Sequence, residues 1–200
     1  MKAVITVVGL AVAASASMAD VYTDSASFLA DLQPGYFFNG FADSGSGPVA
    51  SLSYDNGTYA YTVTAAGPNN GGLYNEPGII STNNATDHIL INFTSGNVTA
   101  VGGNFWGTDI NVIPFAVNVN IALSDGTNVT FNTTSASAFR GFTSTSVITS
   151  MTIDALEALP DNPPFAWATM DNLYVGAAVP APGAMALLGL GGLAATRRRR

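Results

Sequence analysis

Phe115-Ala116-Val117-Asn118-Val119-Asn120-Ile121-Ala122-Leu123-Ser124-Asp125-Gly126-Thr127-Asn128-Val129-Thr130-Phe131 is the stretch that decides the fold. Phe115, Val117, Val119, Ile121 and Leu123 alternate with Ala116, Asn118, Asn120 and Ala122. Side chains alternate across a strand, so one face is apolar and the other small or polar, the pattern of a half-buried strand. Asp125-Gly126 supplies a tight hairpin turn, and Val129 and Phe131 resume the alternation on the return strand. Outward from this hairpin the period recurs at Tyr59, Tyr61 and Val63 and at Ile89, Ile91 and Phe93. Further short strands are expected near residues 98–101, 139–142, 147–153 and 173–175. Roughly ten short strands, ~8–12 residues apart and rich in Thr, Val, Asn and Gly, read as a β-sandwich or jelly roll. A parallel β-helix would need a coil of fixed length, and no such internal period is present.

One helix precedes the strands. Asp24 can cap it, Phe28, Leu29 and Leu32 stand at helical spacing, and Pro34-Gly35 ends it. The Gly/Pro/Asn-rich stretch 67–78 reads as a long loop inside the sandwich, and no second domain boundary appears. The expected fold class is therefore all-β, a β-sandwich or jelly-roll-like body with one short N-terminal helix. It occupies residues 20–178 as a single domain.

The two ends have a different character. At the N-terminus Lys2 is a minimal positive region, residues 3–14 are apolar, and Ser17-Met18-Ala19 offers small residues at −3 and −1. Residues 1–19 thus read as a signal peptide, cut by signal peptidase between Ala19 and Asp20. At the C-terminus, residues 179–200, a small-residue hinge Val179-Pro180-Ala181-Pro182-Gly183 leads into an apolar run over 184–195. Arg197, Arg198, Arg199 and Arg200 close the chain. The run is short of the ~20 residues that cross a bilayer comfortably. The arginines act as a stop that holds their end in the cytoplasm.

In that order of parts, the tail resembles the PEP-CTERM sorting signal: a Pro-x-Pro motif, a short Gly/Leu/Ala-rich transmembrane helix and a terminal arginine cluster. Ala181 stands where the family pattern has a glutamate. The resemblance covers about a tenth of the chain. It implies a bacterial, exported protein, transiently anchored by the tail. An exosortase-like membrane transpeptidase would then cut near the Pro-x-Pro and transfer the body to the envelope or the exterior. The β-rich body is also similar in pattern to β-sandwich ectodomains that carry this kind of tail.

Charge narrows the possible partners. Lys2 and the four terminal arginines are five of the six basic residues, so Arg140 is the only Lys or Arg between residues 20 and 178. All thirteen acidic residues lie in that body, leaving it with twelve net negative charges. Such a surface excludes nucleic acid and anionic lipid as expected partners, since phosphate binding needs clustered Lys/Arg. It favours solubility and cations instead. The chain has no cysteine, so an exported fold must rest on its hydrophobic core alone.

Few residues carry recognisable chemistry. His88 is the only histidine, and its neighbour Asp87 would point to the opposite face of a strand. No Gly-x-Ser-x-Gly elbow accompanies it. A glycosidase needs two acids ~5–10 Å apart, and nothing in the spacing of Glu76, Glu157 and eleven aspartates selects a pair. Calcium is a better use for loop oxygens. The candidates for a structural calcium are Asp109 and Asn111, in the loop after Trp106, and Asp171-Asn172, just before the expected last strand. The same residue types also satisfy loop backbone as Asx-turns. Tyr74, Trp106 and Trp167 fall in loop-like contexts beside Asn and Asp, where exposed rings could stack on a sugar. Large aromatics also fill cores, and Gly102-Gly103 ahead of Phe105-Trp106 marks a bulge or close approach that buries a ring. No catalytic residue and no cofactor beyond that calcium are expected. Together with the tail, these features lead to the expectation of a non-enzymatic surface or extracellular-matrix protein, associated with exopolysaccharide. A carbohydrate-binding module stands second and a secreted hydrolase third.

Overall fold

The computed structural model describes residues 18–156 and 165–180. From the N-terminus these run through β1 (Asp20–Tyr22), α1 (Ser25–Ala30), β2 (Phe37–Asn39), β3 (Gly47–Val49), β4 (Ser51–Asp55) and β5 (Ala60–Ala66). β6 (Leu73–Glu76), β7 (Ile79–Thr82), β8 (His88–Phe93) and β9 (Ala100–Thr108) follow. β10 (Val117–Leu123), β11 (Asn128–Thr133), β12 (Phe139–Thr143), β13 (Ser150–Leu156) and β14 (Trp167–Gly176) complete the body.

The strands form two antiparallel sheets. One is ordered β1-β12-β9-β14-β7-β6-β3, with β2 also on β14, and the other β11-β10-β13-β8-β5-β4. The 117–133 stretch makes the expected hairpin, with Val119 opposite Phe131 and Ile121 opposite Val129. Val117, Val119 and Ile121 are buried while Asn118 and Asn120 face outward, so the alternation does assign the faces. A single core takes Val63, Ile91, Ile121 and Ile153 from the second sheet and Leu73, Ile80, Phe105, Phe142 and Met170 from the first. Two sheets sharing one apolar layer make a β-sandwich-like body.

The outer face of the first sheet carries a second, smaller cluster. Asp24 caps α1 by accepting from Ser27 N at 2.8 Å. The helix then lays Phe28 against the sheet with Leu32, Ala100 and Phe139. Gly102 and Gly141 are register partners directly beneath it. A Cβ on Gly141 would lie 2.5 Å from the Phe28 ring, and one on Gly102 2.9 Å from it. Both positions need glycine for close approach.

Several expectations need correction. α1 ends at Ala30, short of Pro34, because Leu32 leaves it to bridge Ala178 and Gln33 N donates to Ala177 O at 2.8 Å. The stretch 67–78 is not all loop, since β6 lies within it and pairs with β7 and β3. The strand expected at 98–101 begins at Ala100 and runs on to Thr108, carrying Trp106 into the sheet. The last strand is Trp167–Gly176, so Asp171 and Asn172 lie inside it, at a bulge opposite Gly103. There β14 changes edge partner, from β7 at Thr169 and Met170 to β2 at residues 173–175. The expected signal peptide up to Ser17, Glu157, and the tail from Ala181 to Arg200 lie outside the described residues. Among the described residues no helix is long and apolar enough to cross a membrane.

Candidate functional site

The outer face of the first sheet is covered by α1 at one end and opens into a cleft at the other. β14 begins there with Trp167, opposite Thr108 at the end of β9. The β6–β7 hairpin turns beside them through Pro77-Gly78, where Gly78 takes a positive φ of 95°. The loop after β9 folds back over the sheet, since Thr108 bridges Pro114 and Asp109 N donates to Ile113 O at 3.0 Å. The resulting cleft holds about 410 Å³ and is lined by Tyr74, Glu76, Ser81, Asp109, Asn111 and Trp167, among others. Of the aromatic and calcium candidates, it brings together Tyr74, Trp167, Asp109 and Asn111.

Hydroxyls tie the strands under the cleft. The buried Thr169 Oγ1 lies 2.9 Å from Ser81 Oγ and 3.2 Å from Thr108 Oγ1, bridging β7 and β9 through β14. The Trp167 ring is oriented by its Nε1, which donates to Asn83 O at 3.4 Å. Thr82, also on the lining, is 1% exposed, and its Oγ1 has no hydrogen-bond partner. Ile110 and Ile113, in the loop at the rim, are 76% and 58% exposed.

The two acids of the cleft are held differently. Asp109 Oδ1 accepts from the backbone N–H groups of Ile113 and Asn111, both at 2.9 Å. These bonds, Ile113's foremost, hold its carboxyl below the usual carboxylate range against a smaller opposing push from burial. Asp109 and Asn111 therefore form an Asx-turn that shapes the loop. Glu76 takes part through its backbone carbonyl, which accepts from Ser44 Oγ, and its carboxylate makes no hydrogen bond among the described residues. Glu76 escapes a sequence reading that treats 67–78 as loop. The one local signal was the turn pair Pro77-Gly78 ahead of Ile79-Ile80.

The other candidates lie elsewhere. Trp106, expected in a loop, is 3% exposed on β9, with its Nε1 buried and without a partner, so it presents no ring to a ligand. Asp171 turns its carboxylate onto Asn172, accepting from both its backbone N and its Nδ2. Burial pushes the Asp171 carboxyl up, with the Asn172 backbone bond opposing. This pair lies at the bulge, away from the cleft lining. Among the described residues no group of three or more His, Asp or Glu stands together to hold a metal. His88 opens β8, while Asp87 lies just ahead of the strand. Asp87 is buried and accepts from Asn69 N and Gly71 N at 3.0 and 2.9 Å, fastening the loop ahead of β6. His88 acts on Asp154 of β13, whose carboxyl burial pushes up while the His88 charge pulls it down.

Both ends of the body meet at the foot of the first sheet. Asp20, Thr143, Ala100 and Gly176 form one cross-strand row. Ala19, on the expected cleavage bond, is buried in the main core, and its N–H donates to the buried Thr127 Oγ1 at 2.8 Å. On the C-terminal side Ala178 N donates to Thr99 Oγ1 and Val179 N to Asp31 O. The chain is thus fastened up to Val179, the first residue of the expected hinge, and Ala181, Pro182 and Gly183 lie outside the described residues. No known protein family, curated protein or solved structure matches this chain.

Proposed function

We propose that this chain is an exported, non-enzymatic envelope or matrix protein whose body binds carbohydrate through the cleft at the start of β14. Its route is the one the ends suggest. A signal peptide is removed by signal peptidase near Ala19. A PEP-CTERM-like tail then delivers the jelly-roll-like body to an exosortase-like transpeptidase, which cuts within Pro180-Ala181-Pro182-Gly183. The exopolysaccharide of the producing cell is the ligand in view.

The observation that carries the binding role is the company kept by Tyr74 and Trp167. Two aromatic side chains share one cleft with Glu76, Ser81, Asp109 and Asn111. Flat apolar faces beside a few fixed polar groups are what a sugar ring requires, CH groups on one side and hydroxyls at the edge. Isolated exopolysaccharide and a glycan array, presented to the purified protein, test the reading. Trp167→Ala should weaken the captured glycan by about tenfold, equivalent to ~1.4 kcal/mol. A protein that captures no glycan, or a Trp167→Ala variant that captures it equally well, defeats the proposal.

A second reading has one observation in its favour. Glu76 and Asp109 line the same cleft, and a glycoside hydrolase works with two such acids. Against it, both backbone donors of the Asp109 loop fall on the carboxylate that would serve as base or nucleophile. Release of shorter oligosaccharides from a bound glycan, abolished in Glu76→Gln, would make the chain a hydrolase. Calcium remains a structural option at Asp109 and Asn111, and there it would organise the loop, with no chemical step passing through it.

A further inference from the structure

We propose that the cleft is selective for an amino sugar with a free ammonium group, a unit of a de-N-acetylated polysaccharide. This rests on the carbohydrate reading above and narrows it. The first ground is the charge of the lining, which has two carboxylates, Glu76 and Asp109, and no cation. Arg140, the only Lys or Arg of the body, sits on β12 with its guanidinium 3.8 Å over the Phe131 ring. It belongs to the sandwich and not to the cleft.

The second ground is how much acceptor capacity those carboxylates retain. Asp109 Oδ1 is occupied by two backbone N–H groups, but Oδ2 meets only Asn111 Nδ2 at a long 3.4 Å. Glu76 keeps its whole carboxylate. A neutral sugar closing the cleft would strip water from Glu76 without returning a counter-charge, which is costly. An ammonium returns it as a charge-assisted hydrogen bond, about twice as strong as a neutral one. Tyr74 and Trp167 add π faces that attract the same cation.

A uronic or sulfated sugar is excluded by the same geometry, since its anion would face two carboxylates on a body that already carries twelve net negative charges.

Calorimetry on the purified full-length protein tests this with glucosamine, N-acetylglucosamine and glucose tetramers of equal linkage. The glucosamine tetramer should bind at least tenfold tighter than its N-acetyl counterpart and lose that margin in salt. Glu76→Gln should erase the preference and leave the residual affinity for the neutral tetramers. Asp109→Asn keeps an Oδ1 acceptor for the loop, so it should reduce the preference while the protein stays folded. Equal or tighter binding of a neutral tetramer overturns the amino-sugar proposal and leaves the carbohydrate reading standing. A preference that survives Glu76→Gln puts the ammonium somewhere else and also overturns it. If no tetramer binds, both readings fall. Calcium alone binding in a Glu76-dependent way, with no saccharide doing so, would make the cleft an ion site and end both as well.

Discussion

Phe28 and Gly141 offer a quantitative check on how α1 is seated. Phe28 is fully buried, and its ring lies 5.6 Å from that of Phe139 and 5.7 Å from that of Tyr22. Truncating a buried Phe to Ala costs about 3–5 kcal/mol. This cluster is small and covered by a six-residue helix that can settle inward, so Phe28→Ala should fall near ~3 kcal/mol. In a protein of this size that lowers the melting temperature by about 6–12 °C. Gly141→Ala acts in the opposite sense, placing a methyl 2.5 Å from Phe28 Cδ2 and 3.0 Å from Phe139 Cε1. Overpacking of this kind costs ~2 kcal/mol. Independent effects would sum to ~5 kcal/mol in the double variant. With the Phe28 ring gone the methyl has room, so the double variant should stay near ~3 kcal/mol, a coupling of about 2 kcal/mol. Urea unfolding of the wild type and three variants, followed by circular dichroism, measures the cycle. Additive losses would show that Phe28 does not sit on the glycine pair, and the account of the outer face would be wrong.

Asp154→Asn should raise the melting temperature at neutral pH. Burial pushes this carboxyl up, so its stabilising contribution is fully present below the ordinary carboxylate range and lost as pH rises through the raised value. The advantage of the variant should shrink toward zero in acid, and an advantage that grows in acid would contradict the sign. With twelve net negative charges and a screening length of ~10 Å at 0.1 M salt, the body should melt higher as NaCl is added at neutral pH. A flat response would mean the acids are held in favourable contacts. A protein beginning at Asp20 lacks the Ala19 N–H and leaves the buried Thr127 hydroxyl without that donor, which costs ~1–3 kcal/mol. It should melt below one beginning at Ser17, and identical melting would show that Ala19 contributes nothing.

Much of this fold is legible in the sequence where one pattern acts alone. The β10–β11 hairpin is plain because the alternation from Val117 to Leu123 is unbroken and Asp125-Gly126 admits one turn. Asp24 as the cap of α1 is legible for a similar reason, since the signal is local. Glycine misleads where its reason is tertiary. Gly102 and Gly103 interrupt the pattern of β9 because Phe28 crowds the first and the β14 bulge the second, and neither partner is near in sequence. Trp106 was displaced into a loop by that interruption. Gly71 and Gly72 hide β6 in the same way, since a Cβ on Gly72 would strike Val49 O across the sheet. The cleft was legible by halves. Tyr74, Trp167, Asp109 and Asn111 stand out by type, but that they share one lining depends on a fold-back between Thr108 and Pro114 that no spacing encodes.

The course of β14 has a mechanical consequence. Its ten residues start at the cleft with Trp167 and finish at Gly176, a few residues before the expected hinge, a span of ~33 Å. A pull between a ligand held at the first end and a tether at the second would run along the strand axis. The bonds to β9 on one side, and to β7 and β2 on the other, would then be strained in shear all together. Peeling, which breaks such bonds one at a time, is the geometry this placement avoids, and the strand under tension is an interior one, gripped on both edges.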